Sequence, residues 1–123
     1  MIIEHALLPV RPERAADFEA AFAAARPIIA SMPGFRSLSL SRGVESPGSY
    51  LLRVEWDRLD DHVVGFRGSP EYQRWKDLLH HFYDPFPVVE HFTPVPLTPD
   101  DDPGTASQPG PSPAVTASPP PPR

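Results

Sequence analysis

Along this chain the apolar residues switch repeatedly between the two-residue period of a strand and the three-to-four-residue period of a helix. The order of those switches limits the fold more than any bulk property does. Ile2 to Val10 is a short apolar run holding Glu4 and His5 and ended by the Pro9 to Pro12 region, which predicts a strand. From Glu13 the spacing lengthens. Ala15, Phe18, Phe22, Ala25, Ile29 and Met32 fall on one helical stripe, with Arg14, Asp17, Glu19 and Arg26 mostly off it. Pro27 predicts a kink near Arg26, because it removes a backbone donor and crowds the preceding turn. Pro33-Gly34 ends the helix.

Phe35 to Glu45 then alternates Leu38 and Leu40 with Ser37, Ser39 and Ser41, and Tyr50 to Asp57 alternates Tyr50, Leu52, Val54 and Trp56 with Leu51, Arg53 and Glu55. The Ser46-Pro47-Gly48-Ser49 turn between them makes a hairpin. Leu59 to Arg67 predicts a short helix interrupted at Gly65 and Gly68. Ser69-Pro70-Glu71 opens another helix with a capping hydroxyl, a proline in the first turn and an acid at the positive end of the dipole. Tyr72, Trp75, Leu79 and Phe82 continue it, Asp84-Pro85 stops it, and Phe86 to Val95 supplies a last strand.

The resulting order is β-α-β-β-α-β, so the fold class is α+β. The expected fold is ferredoxin-like, with helices covering one face of a four-stranded antiparallel sheet. Apolar residues occupy both alternating sets of the first, third and last strands, so the other sheet face also needs cover. A second copy of the chain would supply it, giving a homodimer.

Composition sets the boundary of this unit. Ten of the nineteen prolines lie from Pro96 to Arg123, a stretch without aromatic residues that cannot bury enough apolar surface to offset its ordering. The expected organisation is a folded domain over residues 1–95 and a disordered proline-rich tail over 96–123. In the first 95 residues ten Lys and Arg face thirteen Asp and Glu, scattered rather than blocked, which offers no basic stripe for nucleic acid. The absence of cysteine removes disulfides, thiolate nucleophiles and zinc knuckles together. With no signal-like or membrane-spanning run at the start, the expected setting is cytoplasmic, away from membranes.

The run YLLRVEWDRLDDHVVGFRGSPEYQRWKDLLHHFYDP, placed after PGFRSL and before a final VEHF, resembles the antibiotic biosynthesis monooxygenase family of dimeric α+β barrels. The resemblance implies oxygen insertion into a quinol-like or polycyclic aromatic molecule, with molecular oxygen as the second substrate and no flavin, haem or metal. It also implies an apolar cavity that binds the substrate, helps remove a phenolic proton and excludes water. Many relatives carry a histidine late in the short helix. Here Gly65-Phe66 occupies that place, and His62 stands six residues after Trp56.

The candidate proton-transfer groups are His62, His80 and His81, histidine being the side chain suited to proton transfer near neutral pH. Their alternative roles are a loop hydrogen bond for His62 and solvation for His81. His80 and His81 are adjacent and point about 100 degrees apart on a helix, so they do not form a metal pair. Trp56, Phe66, Tyr72, Trp75, Phe82 and Tyr83 offer flat surfaces for an aromatic substrate, or else simply fill the core. The doublets Glu4-His5 and Glu90-His91 lie on strands expected to be neighbours, so they are a candidate polar cluster at a pocket or an interface. A non-catalytic barrel binding a small apolar ligand, and a haem-degrading or isomerase relative, are the other functions this fold admits.

Overall fold

A computed structural model describes residues 1–98 of the chain. It divides after Thr93 into a folded unit, Met1–Thr93, and a second stretch in which residues 94–98 carry no helix or strand. The expected tail lies, from residue 99 onward, outside the described residues.

Strands β1 (Ile2–Pro9), β2 (Phe35–Arg42), β3 (Ser49–Trp56) and β4 (Val89–Phe92) form one antiparallel sheet in the order β2-β3-β1-β4. Helix α1 (Ala15–Ala30) follows a single tight turn at Pro12–Arg14, and α2 (Pro70–Leu79) ends in another at His80–Phe82. This is the ferredoxin-like α+β fold expected from the order of elements.

Register decides what each sheet face carries. Glu4, Ala6 and Leu8 of β1 stand opposite Val54, Leu52 and Tyr50 of β3, and all six are buried beneath the helices. Phe18, Phe22, Ala25 and Ile29 of α1 close over them, with Phe18 ringed by Phe22, Tyr50 and Phe82. Burying one such phenylalanine contributes about 2 to 3 kcal/mol. The opposite face presents Ile3, His5 and Leu7 against Glu55, Arg53 and Leu51, with Ser37, Ser39 and Ser41 beyond them.

Three elements depart from expectation. Helix α1 runs as one element through Pro27, which lies exposed near its end, as does Ala23, the residue whose carbonyl loses a donor there. The segment after β3 is a wide π turn, Asp61–Phe66, rather than an α-helix. Strand β4 spans four residues, shorter than Phe86 to Val95, because Pro87 and Pro94 have no N–H to give a ladder.

Candidate active site

Two anchors hold the π turn. Gly34 carries φ +85, and its carbonyl accepts the Asp57 amide at 2.8 Å, docking the end of β3 against the β2 entry. A side chain at Gly34 would run into Asp61, whose carboxylate accepts the Arg58 amide at 3.0 Å and so shapes the start of the turn. At the other end Ser69 caps α2 by accepting from the Tyr72 amide, and its hydroxyl donates to the Phe66 carbonyl at 2.6 Å. His62 and Phe66 are thereby buried side by side against Trp56.

Between the sheet and these helices lies a cavity of about 310 Å³. Glu4, Ala6, Leu8 and Leu52 form the sheet side, and Val89 closes the β4 edge. His62, Phe66 and Arg67 come from the π turn, Tyr72, Trp75 and His80 from the α2 region, and Tyr83, Phe86 and Pro87 from the segment before β4. The wall is aromatic and aliphatic with a few polar groups converging on it, the make-up of a small-molecule site.

The polar groups are strung together. Trp56 Nε1 donates to Glu4 Oε1 at 2.9 Å, and His62 Nε2 stands 3.4 Å from the same oxygen. The His62 ring lies on Trp56 with planes 19° apart, and its Nδ1 meets His91 Nε2 at 2.8 Å. Burial pushes the Glu4 carboxyl up to about 7, against the Trp56 hydrogen bond and the Arg67 charge, which pull it down. Burial, then Arg67 and His91, push His62 down to about 3, so it is neutral and its contact with Glu4 is not an ion pair. His91 is held below its ordinary value by burial and Arg67. One proton is therefore shared between the two imidazoles. Glu4 Oε2 takes part in none of these contacts.

The two Glu-His doublets do approach each other, but they do not form one cluster. Antiparallel pairing sets Glu4 opposite His91 and His5 opposite Glu90, so the first pair faces the cavity side and the second the outer sheet face. Phe66, Tyr72, Trp75 and Tyr83 line the cavity, as does His80. Trp56 stands behind Glu4 and His62 rather than in the wall. Phe82 packs into the core beside Phe18, beneath the Arg14 guanidinium. His81 is exposed, resting on the Phe82 ring outside the cavity, because the tight turn at the end of α2 directs His80 inward and His81 out. Two groups carry more weight here than the sequence alone assigned them. Glu4 shows a carboxylate in an otherwise apolar strand, a visible signal. Arg67 enters the wall only through the π geometry, which residue spacing does not reveal. Among the described residues no group of three His, Asp or Glu side chains is arranged to hold a metal ion.

A small ferredoxin-like domain with an aromatic-lined cavity and a buried carboxyl in its wall is the class this structure defines. Residues 1–78 match the antibiotic biosynthesis monooxygenase family, and the chain belongs to it. It is 53% identical over 95 residues to the uncharacterized protein YczJ of Bacillus subtilis, covering 77% of this chain and all of that one. A solved structure from Bordetella bronchiseptica, assigned to the same family, superposes with a TM-score of 0.73 at 39% identity, over 76% of this chain and 96% of that one. SnoaB of Streptomyces nogalater, a cofactor-independent oxygenase, shares the fold at a TM-score of 0.66 and 22% identity, over 76% of this chain and 91% of that one.

Proposed function

We propose that this chain is a cofactor-independent monooxygenase that oxidises a small quinol-like aromatic molecule in the cavity described above. The observation that carries the reading is Glu4: a buried carboxyl, 5% exposed, with one oxygen fixed and the other free in an aromatic-lined cavity. A base whose pKa lies near 7 is suited to taking a phenolic proton at neutral pH. In this step the substrate O–H bond breaks, its electron pair stays on the substrate oxygen, and the proton goes to Oε2. The anion then reduces dioxygen. One oxygen atom ends on the ring and the other leaves as water, so a hydroquinone becomes a hydroxyquinone. His62 is the positioning residue behind Glu4, its Nδ1 bonded to His91 and its Nε2 3.4 Å from Glu4 Oε1, and His91 extends that line to the half-buried β4 edge. His80 faces the same cavity and is a secondary proton donor in this reading, whereas exposed His81 has no part in it.

A cavity of about 310 Å³ is at the small end of ligand sites and suits a compact ring system. Family membership supports the oxygenase class, and the absence of cysteine favours a reducing, cytoplasmic setting. The outer sheet face is proposed to seat a second copy of the chain.

The test is oxygen uptake with a panel of hydroquinones and anthrone-like phenols after chelator treatment. Turnover is expected for at least one member and is expected to fall about 10²- to 10⁴-fold in Glu4→Gln, the range that general acid–base catalysis contributes. In the wild type kcat/KM is expected to rise with pH up to about 7 and then level off, as Glu4 loses its proton. Uptake no faster than buffer for every member, with ligand binding retained, would establish the non-catalytic binding protein instead.

A further inference from the structure

The π turn puts a cation in the cavity wall. In an α-helix the amide bonding back to the His62 carbonyl would be that of Phe66, and Arg67 would stand about 140° around the axis from His62. Here the Arg67 amide itself bonds the His62 carbonyl at 3.1 Å, a five-residue step that stacks Arg67 one turn from His62 and leaves both facing the cavity with Phe66.

The surroundings of this guanidinium differ from those of the paired arginines. Arg11, Arg36, Arg42 and Arg53 each have a carboxylate within 3.6 Å or less. Among the described residues the Arg67 guanidinium has no hydrogen bond or ion pair, and it is the one Lys or Arg in the cavity wall. Its charge reaches Glu4, His62, His91 and Tyr72, and at the last three it is second only to burial in shifting protonation. With His62 neutral and Glu4 about half protonated near pH 7, Arg67 leaves the cavity wall with net positive charge. A planar fork with free donors at the edge of an apolar space matches a carboxylate in shape as well as sign.

We propose that Arg67 determines specificity in this cavity by binding a carboxylate, so that the substrate class is a small aromatic hydroxy acid whose ring packs on Phe66, Tyr72 and Trp75. The placement of its hydroxyl on Glu4 Oε2 rests on the oxygenase reading; the carboxylate contact does not. Apart from Glu4, the remaining wall is apolar or neutral, so the rest of the ligand needs no further charge.

Two probes separate these claims: hydroquinone, and gentisate, which is hydroquinone carrying one ring carboxylate. Calorimetric binding without oxygen is expected to show gentisate about tenfold or more the tighter, as befits hydrogen bonds to a charged group. The gap is expected to narrow with added salt, close in Arg67→Gln, and reopen only in part in Arg67→Lys, which lacks the fork. Arg67 is exposed at the cavity mouth, so these variants are expected to keep the wild-type circular dichroism. Equal affinity for the two probes, no binding of gentisate at millimolar concentration, or a preference undiminished in Arg67→Gln would each overturn the proposal. The preference with no oxygen uptake by any member of the phenol panel would defeat the oxygenase reading while leaving the anchor in place. Uptake of hydroquinone without any preference would do the reverse.

Discussion

At the scale of single residues, the Glu4 and His62 pair makes an opposed pair of contributions to stability. The Glu4 carboxyl rises from 4.5 to about 7 on folding, so the folded protein keeps a proton that the unfolded chain has released, and Glu4 lowers stability as pH rises between those values. His62 falls from 6.5 to about 3, so the unfolded chain holds the extra proton, and His62 raises stability as pH rises across its own window. From pH 4.5 to 6.5 the two slopes cancel. Denaturant unfolding of the wild type is expected to give a plateau there as far as this pair is concerned. Below 4.5 stability falls with falling pH, through His62. Glu4→Gln removes one slope and uncovers the other, so that across the plateau the variant gains on the order of 2 to 3 kcal/mol with rising pH relative to the wild type. Parallel curves for the two proteins would mean that Glu4 is not held protonated.

At the scale of elements, the structure turns on the contact between the entry to β2 and the segment leading from β3 into the π turn. Gly34 adopts a left-handed φ of 85 that other residues reach only with strain, and it lies against Asp61 at the start of the turn. Gly34→Ala adds a methyl group where the Asp61 side chain stands. Asp61 must then leave the Arg58 amide, loosening the turn that carries His62, Phe66 and Arg67. The expected cost is about 1 to 3 kcal/mol in urea unfolding, with weaker ligand binding at temperatures where the variant is still folded. Unchanged stability and binding would show that the turn is held from the Ser69 end alone. The same region shows where sequence reading stops. The periodicities of α1, β3 and α2 state which faces are buried, and turn residues state where the elements end, so element order and sheet face were legible. A π turn differs from an α turn by one residue of hydrogen bonding, and no pattern of side-chain types over Asp61–Phe66 encodes that difference. The pairing of Glu4 with His91, and of His5 with Glu90, was legible only as proximity, because a one-residue slip in register would exchange their faces.

At the scale of the whole molecule, the two sheet faces have separate tasks. The helix face carries the core and the cavity. The outer face exposes Leu7 and Phe92, 57% and 47% accessible, beside the half-buried Ile3 and Leu51. A four-stranded sheet with apolar residues on its open face is stabilised when that face is covered, and a two-fold pairing would place each copy of this patch on its equivalent. Leu7 lies opposite Leu51 on β1, an interior strand of the sheet, so a charge there would enter the proposed interface twice. Light scattering behind size exclusion is expected to give a dimer for the wild type at micromolar concentration and a monomer for Leu7→Glu, with a weakening of about 2 to 5 kcal/mol. Because Leu7 is already exposed in the single chain and faces away from the cavity, the variant is expected to keep its circular dichroism and its affinity for an aromatic ligand. A wild type that runs as a monomer would remove the second copy from this face. A dimer unaffected by Leu7→Glu would move the interface elsewhere. Loss of ligand binding together with the dimer would show that pairing shapes the cavity, although the residues that line it come from the other side of the sheet and from the helices above it.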